Sequence, residues 1–451
     1  MAPSPACGGR LGWGAYAKVH VILNRQATRH AQLIVVNRPE LTSLPPIVTF
    51  TVIHGGHGDA SWQGLAGEPL WKPIYSLSSG SYAGASKFAI VATMVNDAID
   101  LNGIRRVLVT KLRHHGDVLL TSPVFQVLKN HAPHLEIDAL VYADTTPMLA
   151  LHPAISEIFT IDRNWKKQGG LAQIQNEWQL FSALKARRYD LIVHLTEHPR
   201  GGWLKQMLGI RYGVAAELGS HQRWGWKSFS HHYSRAGSQR HTVETNLDAL
   251  RRIGIQPDME ERRLVLEPGD AAREKIRALL NEHHLNVKGF IHLHPTSRWL
   301  FKTWPEQKVA ELIRQLEHDG HRTVMTSAPD AGELAMVKRT RAAGGDAAVD
   351  LSGQLSLKEL AALTAQAKLF VGVDSAPMHI AAAMQTPVVA LFGPSGDVEW
   401  GPWMVNHRIV TSAHPCRPCG QDGCGGGKVS ECLTTLPMTQ VLAAVETLLA
   451  Q

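Results

Sequence analysis

The sequence predicts an α/β protein with two doubly wound domains, each a parallel sheet covered by helices on both faces. Three observations predict it. Short runs rich in Val, Ile and Leu recur from residue 105 to residue 393. Helix-length amphipathic segments separate these runs, and a turn at Pro268–Asp270 divides them into two similar series. Apolar strands alternating with helices form the pattern of a sheet buried on both sides.

In the first series, RRVLVTKL (105–112) reads as a buried strand and VLLTSPVFQVLKN (118–130) as the helix after it. LEIDALVY (135–142) and YDLIVHL (189–195) are further strands. The turn PGD introduces a helix, AAREKIRALLNEHH (271–284). The second series then runs GFIHLHP (289–295), RTVMTSAP (322–329), KLFVGVD (368–374) and PVVALFG (387–393). In such sheets ligands bind beyond the carboxyl ends of the strands, so the residues just after each strand are the ones to examine.

Composition limits the alternatives. The 451 residues are 44% hydrophobic and 19% charged, which is globular usage at a length suited to two or three domains. No stretch of ~18 apolar residues is free of charge, and the N-terminus has no compact apolar h-region, so neither a spanning helix nor a secretory signal is expected. Four of the five cysteines crowd into residues 416–432, which is no disulfide framework. The expectation is a soluble protein of a reducing compartment. The net charge of +7 suits anionic small molecules or an acidic membrane surface and is too weak to argue for nucleic acid.

Residues 1–93 differ from the rest. They hold Gly/Ser/Pro clusters such as SSGSYAGAS (78–86), with no helical period beyond two turns, and their seven Lys/Arg against three Asp/Glu carry +4 of the charge. Either the working protein starts near Met94, the reading that composition favours, or this stretch is a poorly ordered extension.

The strand ends hold the candidate chemistry. After the first strand comes RHHGDVLLTSP (113–123), where Gly116 permits a tight turn or a close approach to a ligand. Asp117 falls at the start of the next helix, as an N-cap or as a carboxylate at the cleft rim poised to take a proton. In HLHPTSRWLFKTWPE (292–306), Thr296 and Ser297 supply hydroxyls and Lys302 a compact positive charge, a set suited to a diphosphate. A solvated loop with a core Trp304 would have the same spacing.

The strongest local signal is LFVGVDSAPMHIAAAMQTPVVALFGPS (369–395). A buried strand ends at Asp374, Ser375 caps a helix, and His379 lies one turn further in. Free N–H groups around Ala376 and the positive end of that helix form an anion site, with Asp374 left to orient sugar hydroxyls.

Other signatures are missing. There is no Asp-x-Asp and no H-E-x-x-H, and GGGKVS (425–430) fails as a phosphate loop because Asp422 stands where the motif needs Gly. Cys416, Cys419, Cys424 and Cys432 leave open a structural zinc, a redox-sensitive knot or unliganded thiols.

RVLVTKLRHHGDVLLTSPVF, HLHPTSRWLFKTWPE and the 369–395 segment together resemble the hallmark segments of bacterial lipopolysaccharide heptosyltransferases, glycosyltransferase family 9. PTSRW-x2-K-x-WP is most similar to the heptosyltransferase III branch. The resemblance covers about 104–450 and does not reach residues 1–93. It implies a GT-B fold of two Rossmann-like domains: an extension over 1–103, an acceptor domain over 104–268 and a donor domain over 269–451.

The implied activity is inverting transfer of L-glycero-D-manno-heptose from ADP-heptose to the lipopolysaccharide inner core, at the third heptose, with no required cofactor. The implied setting is the cytoplasmic face of the inner membrane, in peripheral contact with it. Carried over by motif, Asp117 would be the general base, and Thr296, Ser297 and Lys302 would meet the diphosphate. Asp374 would bind the heptose. Ser375 and Ala376 would form the phosphate-binding helix end, with His379 in the same donor set, and Glu333 would match the ribose-binding acid. One extra residue between His294 and Lys302, relative to some relatives, loosens the Lys302 register.

Arg113, Arg200 and Lys205 are the cations near the first domain's strand ends that could meet the acceptor's Kdo carboxylates and phosphates. Two competing readings remain at this point. One is a related two-domain transferase or epimerase acting on another nucleotide sugar. The other is a non-catalytic nucleotide- or metal-binding protein built around the cysteines.

Overall fold

Of the first 96 residues, the computed structural model describes only short strand segments; beyond them it describes residues 97–451, except 168, 219–224, 236–239 and the side chain of 166. The expectations for residues 1–93 as a whole therefore fall outside the described residues. The chain divides into two units, residues 1–97 and 98–451, and the second carries both large sheets.

The first sheet is built from β1 (Arg106–Lys111), β2 (Glu136–Tyr142), β3 (Glu157–Ile161), β4 (Leu191–His194), β5 (Tyr212–Ala216) and β6 (His231–Tyr233). All pairings are parallel and the order is β6-β5-β4-β1-β2-β3. Helices α1 (His115–Leu119), α2 (Ser122–His131), α3 (Gly170–Arg187), α4 (Arg200–Met207) and α5 (Thr242–Arg252) cover it. The alternation along β1 explains the two covered faces. Val107 and Val109 pack with α2 and α5, whereas Leu108 packs on the other face with Leu180 and Leu184 of α3 and Leu204 of α4.

The 118–130 segment does not form the single helix expected. It breaks between Leu119 and Ser122, because Pro123 has no N–H to carry the helical ladder back to the Leu119 carbonyl and stands instead in the first turn of a new helix. Thr121 seals the break by donating to the Val118 carbonyl at 2.6 Å. Residues 98–103 pack onto this layer, with Ile99 buried and its N–H on the Ile253 carbonyl at 3.1 Å.

After α6 (Asp270–Glu282) the second sheet repeats the plan. Its strands are β7 (Phe290–His294), β8 (Arg322–Met325), β9 (Val349–Asp350), β10 (Leu369–Val373), β11 (Val388–Leu391) and β12 (His407–Val410). They are parallel in the order β9-β8-β7-β10-β11-β12. The helices that matter below are α7 (Glu306–His318), α8 (Ala331–Thr340), α9 (Leu357–Gln366) and α10 (Ala376–Ala383). Leu360 and Ala361 of α9 and Ile380 and Ala382 of α10 join the core of the first sheet's helices. The halves thus share an apolar seam that fixes α10 against α1.

Candidate active site

In each sheet the order reverses once, between β4 and β1 and between β7 and β10. Loops leaving the strand ends at such a reversal diverge and open a crevice. Here the two crevices face one another and merge into a cleft of about 890 Å³, lined by Asp117 and its neighbours from one half and by Lys302, Asp374 and the start of α10 from the other.

On the first side, His114 occupies the N-cap of α1, and Asp117 stands inside the first turn rather than at the cap. Its side chain is half-buried at the cleft. Beneath it Lys111, at the end of β1, is buried with Nζ on the Leu195 carbonyl at 3.0 Å and Asn246 Oδ1 at 3.2 Å. Burial pushes that amine down to about 8, opposed by the charge of Asp117. Gly116 meets no left-handed turn. A Cβ there would lie 2.9 Å from His379 Cδ2, so the close approach it permits is to the other half of the protein. His114 also packs edge-on against Trp299 across the cleft, with ring centroids 5.3 Å apart.

On the second side, Lys302 Nζ donates to Asp374 Oδ2 at 2.6 Å. The pair is largely shielded from solvent. Asp374 is the residue just past β10, and Ser375 is the N-cap of α10 without a side-chain cap bond; its hydroxyl turns to the Val373 carbonyl at 3.2 Å. Pro377 has no N–H and the Met378 N–H is taken by the Ser375 carbonyl, so the donors left at this helix end are those around Ala376. His379 is buried, its Nδ1 has no hydrogen-bond partner among the described residues, and it feels the charges of both Asp374 and Asp117. Burial outweighs them and pushes the imidazole down to about 4.

Ser297 lines the cleft, but Thr296 does not. Thr296 is fully buried and donates its hydroxyl hydrogen to Glu333 Oε2 at 2.6 Å, which corrects its assignment as a diphosphate contact. Glu333, near the start of α8, accepts a second bond from the Ala328 N–H at 3.2 Å. It is buried at the cleft wall, and both bonds hold its carboxylate in one orientation.

Of the expected acceptor cations, Arg113 reaches the cleft; Arg200 and Lys205 do not line it. Arg200 is held by Glu177 through two bonds of 2.7 and 2.6 Å. The stem of Lys205 is buried against Gly213, in a gap that a Cβ would fill. Their place at the cleft is taken by Arg235, paired with Glu197, and by Arg298. Arg235 carries no sequence signal, because it lies in a loop that only the fold brings to the strand ends. Lys111 and His294 carried one, since each is the last residue of its strand.

Cys416, Cys419 and Cys424 are exposed, Cys432 is buried, and all four are free. Burial raises the Cys432 thiol. Among the described residues no group of three or more His, Cys, Asp or Glu side chains is placed to hold a metal ion. No helix among them is long and apolar enough to cross a membrane.

Comparison with known proteins agrees with this architecture. The sequence pattern of "Glycosyltransferase family 9 (heptosyltransferase)" matches residues 177–429. Lipopolysaccharide heptosyltransferase 3 of Escherichia coli K12 is 35% identical over 344 residues, 75% of this chain and 97% of that protein. Lipopolysaccharide heptosyltransferase 1 of Pseudomonas aeruginosa is 27% identical, over 71% of this chain and 87% of that protein. The crystal structure of a family 9 glycosyl transferase from Veillonella parvula superposes with a TM-score of 0.67 at 23% identity, over 79% of this chain and 99% of that one. ADP-heptose lps heptosyltransferase II of E. coli gives 0.60 at 21% identity, over 77% and 99%. These structures share the fold, two facing α/β halves of the GT-B type.

Proposed function

The chain belongs to glycosyltransferase family 9, in the heptosyltransferase 3 branch, and is a heptosyltransferase of the lipopolysaccharide core; from that premise we propose that it moves L-glycero-D-manno-heptose from ADP-heptose onto an inner-core heptose, as the third heptose, with inversion. The observation that carries this reading is the meeting in one cleft of Asp117 from one half with Lys302, Asp374 and the start of α10 from the other.

Inverting transfer needs a base on the attacking hydroxyl and a counter-charge for the departing diphosphate. Its transition state is oxocarbenium-like, related to that of glycoside hydrolysis. Asp117 takes the proton of the acceptor hydroxyl. Lys302 has three N–H donors; one holds Asp374, and the others are free for the leaving diphosphate. The N–H groups around Ala376 add a fixed positive end that needs no reorganisation during the reaction. Asp374, held by Lys302, accepts from heptose hydroxyls, Ser297 borders the diphosphate, and Glu333 accepts from the nucleotide's ribose. His379 lines the same cleft and feels the charges of both Asp374 and Asp117.

In this reading residues 104–268 hold the acceptor and 269–451 the donor. Arg113, Arg235 and Arg298 meet the acceptor's carboxylates and phosphates at the rim. The acceptor is anchored in lipid A, so the enzyme works in peripheral contact with the cytoplasmic face of the inner membrane.

The test is ADP release by the purified chain given ADP-heptose, with and without a truncated core acceptor carrying two heptoses. Acceptor-dependent ADP with a mass gain of one heptose is expected. Silence across heptose acceptors, while ADP-heptose still binds, would overturn the acceptor assignment.

A further inference from the structure

β7 ends in two buried histidines, His292 and His294, joined by a chain of hydrogen bonds whose proton positions follow from one end. In α9, Thr364 donates its hydroxyl hydrogen to the Leu360 carbonyl at 2.7 Å, and a carbonyl can only accept. His292 Nδ1, 3.0 Å from the same hydroxyl oxygen, must then be the donor of that contact. Burial keeps the His292 ring neutral, so with its proton on Nδ1 it presents a lone pair at Nε2.

Thr326 gives its single hydroxyl hydrogen to that Nε2 at 2.7 Å. Its oxygen therefore accepts from His294 Nδ1 at 2.8 Å. Burial pushes His294 down to about 3, so this ring is neutral too and its Nε2 is bare. The nearest hydroxyl, that of Thr296 at 3.4 Å, has already given its hydrogen to Glu333. A side chain only 4% exposed thus brings to the cleft lining an acceptor that no donor among the described residues satisfies.

The wall around it is one-sided chemically. Thr296 lies between His294 and Glu333, and both of these bordering groups accept. A buried acceptor without a donor is costly, and a ligand hydroxyl removes that cost. The ligand chemistry that fits is a pair of neighbouring hydroxyl donors, a vicinal diol, one hydroxyl for each acceptor.

We propose that His294 is a specificity-determining residue of the donor site, whose bare Nε2 accepts from one ribose hydroxyl while Glu333 accepts from the other. The relay from the Leu360 carbonyl through Thr364, His292 and Thr326 positions that lone pair by setting the tautomer. The inference rests on the reading of the second half as an ADP-sugar site.

The test uses the full chain in two measurements. ¹⁵N spectra of the histidine rings report which nitrogen carries the proton, and His294 should be protonated at Nδ1 and bare at Nε2. Calorimetry then compares ADP with 2′-deoxy-ADP and 3′-deoxy-ADP. The parent chain should bind each analogue on the order of 10-fold more weakly than ADP.

In Thr326→Val the relay is cut, His294 is free to carry its proton on Nε2, and discrimination against one analogue should disappear while that against the other stays. Thr326→Ser, which keeps the hydroxyl, should behave as the parent. A proton on His294 Nε2 in the parent chain, or analogues bound as tightly as ADP, would overturn the proposal and leave the transferase reading standing. If Thr326→Val does not fold, the tautomer and the parent's discrimination still decide. Failure of ADP itself to bind would remove the donor reading, and this proposal with it.

Discussion

Replacing Gly116 with alanine probes the seam on which the cleft depends. The added Cβ would stand 2.9 Å from His379 Cδ2, 3.5 Å from Nε2 and 3.8 Å from the Ala376 Cα. Ordinary contact needs about 0.5 Å more, and His379, 3% exposed on a helix packed into the shared core, has little room to turn. Overpacking of this kind costs about 1–3 kcal/mol. Because α1 and α10 belong to different halves, opening the seam relieves the strain more easily than unfolding either sheet. That movement would separate Asp117 from the donor side, and a displacement of about 1 Å can cost about 10²-fold in rate. The expected result is a fall in kcat of about 10- to 100-fold with a modest drop in melting temperature. Gly103→Ala is the control, because a Cβ there meets nothing within 4 Å. Acceptor-dependent ADP release and thermal melts give both numbers. A Gly116→Ala enzyme with kcat within twofold of the parent would refute the seating of α1 on α10.

Three further outcomes are expected. Asp117→Asn should lower turnover at least about 10²-fold while ADP-heptose affinity, read by calorimetry, changes less than twofold; surviving turnover would remove Asp117 as the base. Arg113→Ala and Arg235→Ala should raise the acceptor KM several-fold, whereas Arg200→Ala, whose guanidinium is spent on Glu177, should leave it unchanged; the opposite ranking would restore the sequence-based assignment. His152, His194 and His241 are each held by burial at about 4, against 6.5 in the unfolded chain. Below pH 6.5 the unfolded chain therefore binds more protons, and stability falls with pH until about 4, each histidine costing about 1.4 kcal/mol at pH 5.5. Equal melting temperatures at pH 7.5 and 5.5 would contradict their burial as neutral rings.

Much of this protein was legible in its sequence. The strands β1, β2, β4, β7, β8, β10 and β11 lie within the apolar runs that predict them, and Asp117, Lys302 and Asp374 all line the cleft from the segments that follow β1, β7 and β10. These features are local. A buried parallel strand needs a continuous apolar run, and a functional residue at its end needs only to follow it. The marginal strands were not legible. β3, β5 and β6 of the first sheet and β9 and β12 of the second lie away from the centres of their sheets and carry weaker apolar signals.

Relations between distant residues were beyond the sequence. Arg200 and Lys205 have the right charge near the right strand, yet the path of α4 turns one to Glu177 and buries the other against Gly213. Arg235 reaches the cleft from a loop with no pattern of its own. Gly116 reads as a tight turn or a close approach to a ligand, and its reason is His379, 263 residues further on. The proton on His294 is decided by the Leu360 carbonyl, through three intervening side chains. Periodicity and turn chemistry act over a few residues and so are written in the sequence. Which side chains meet depends on sheet order and on how the two halves close, and only the folded chain decides that.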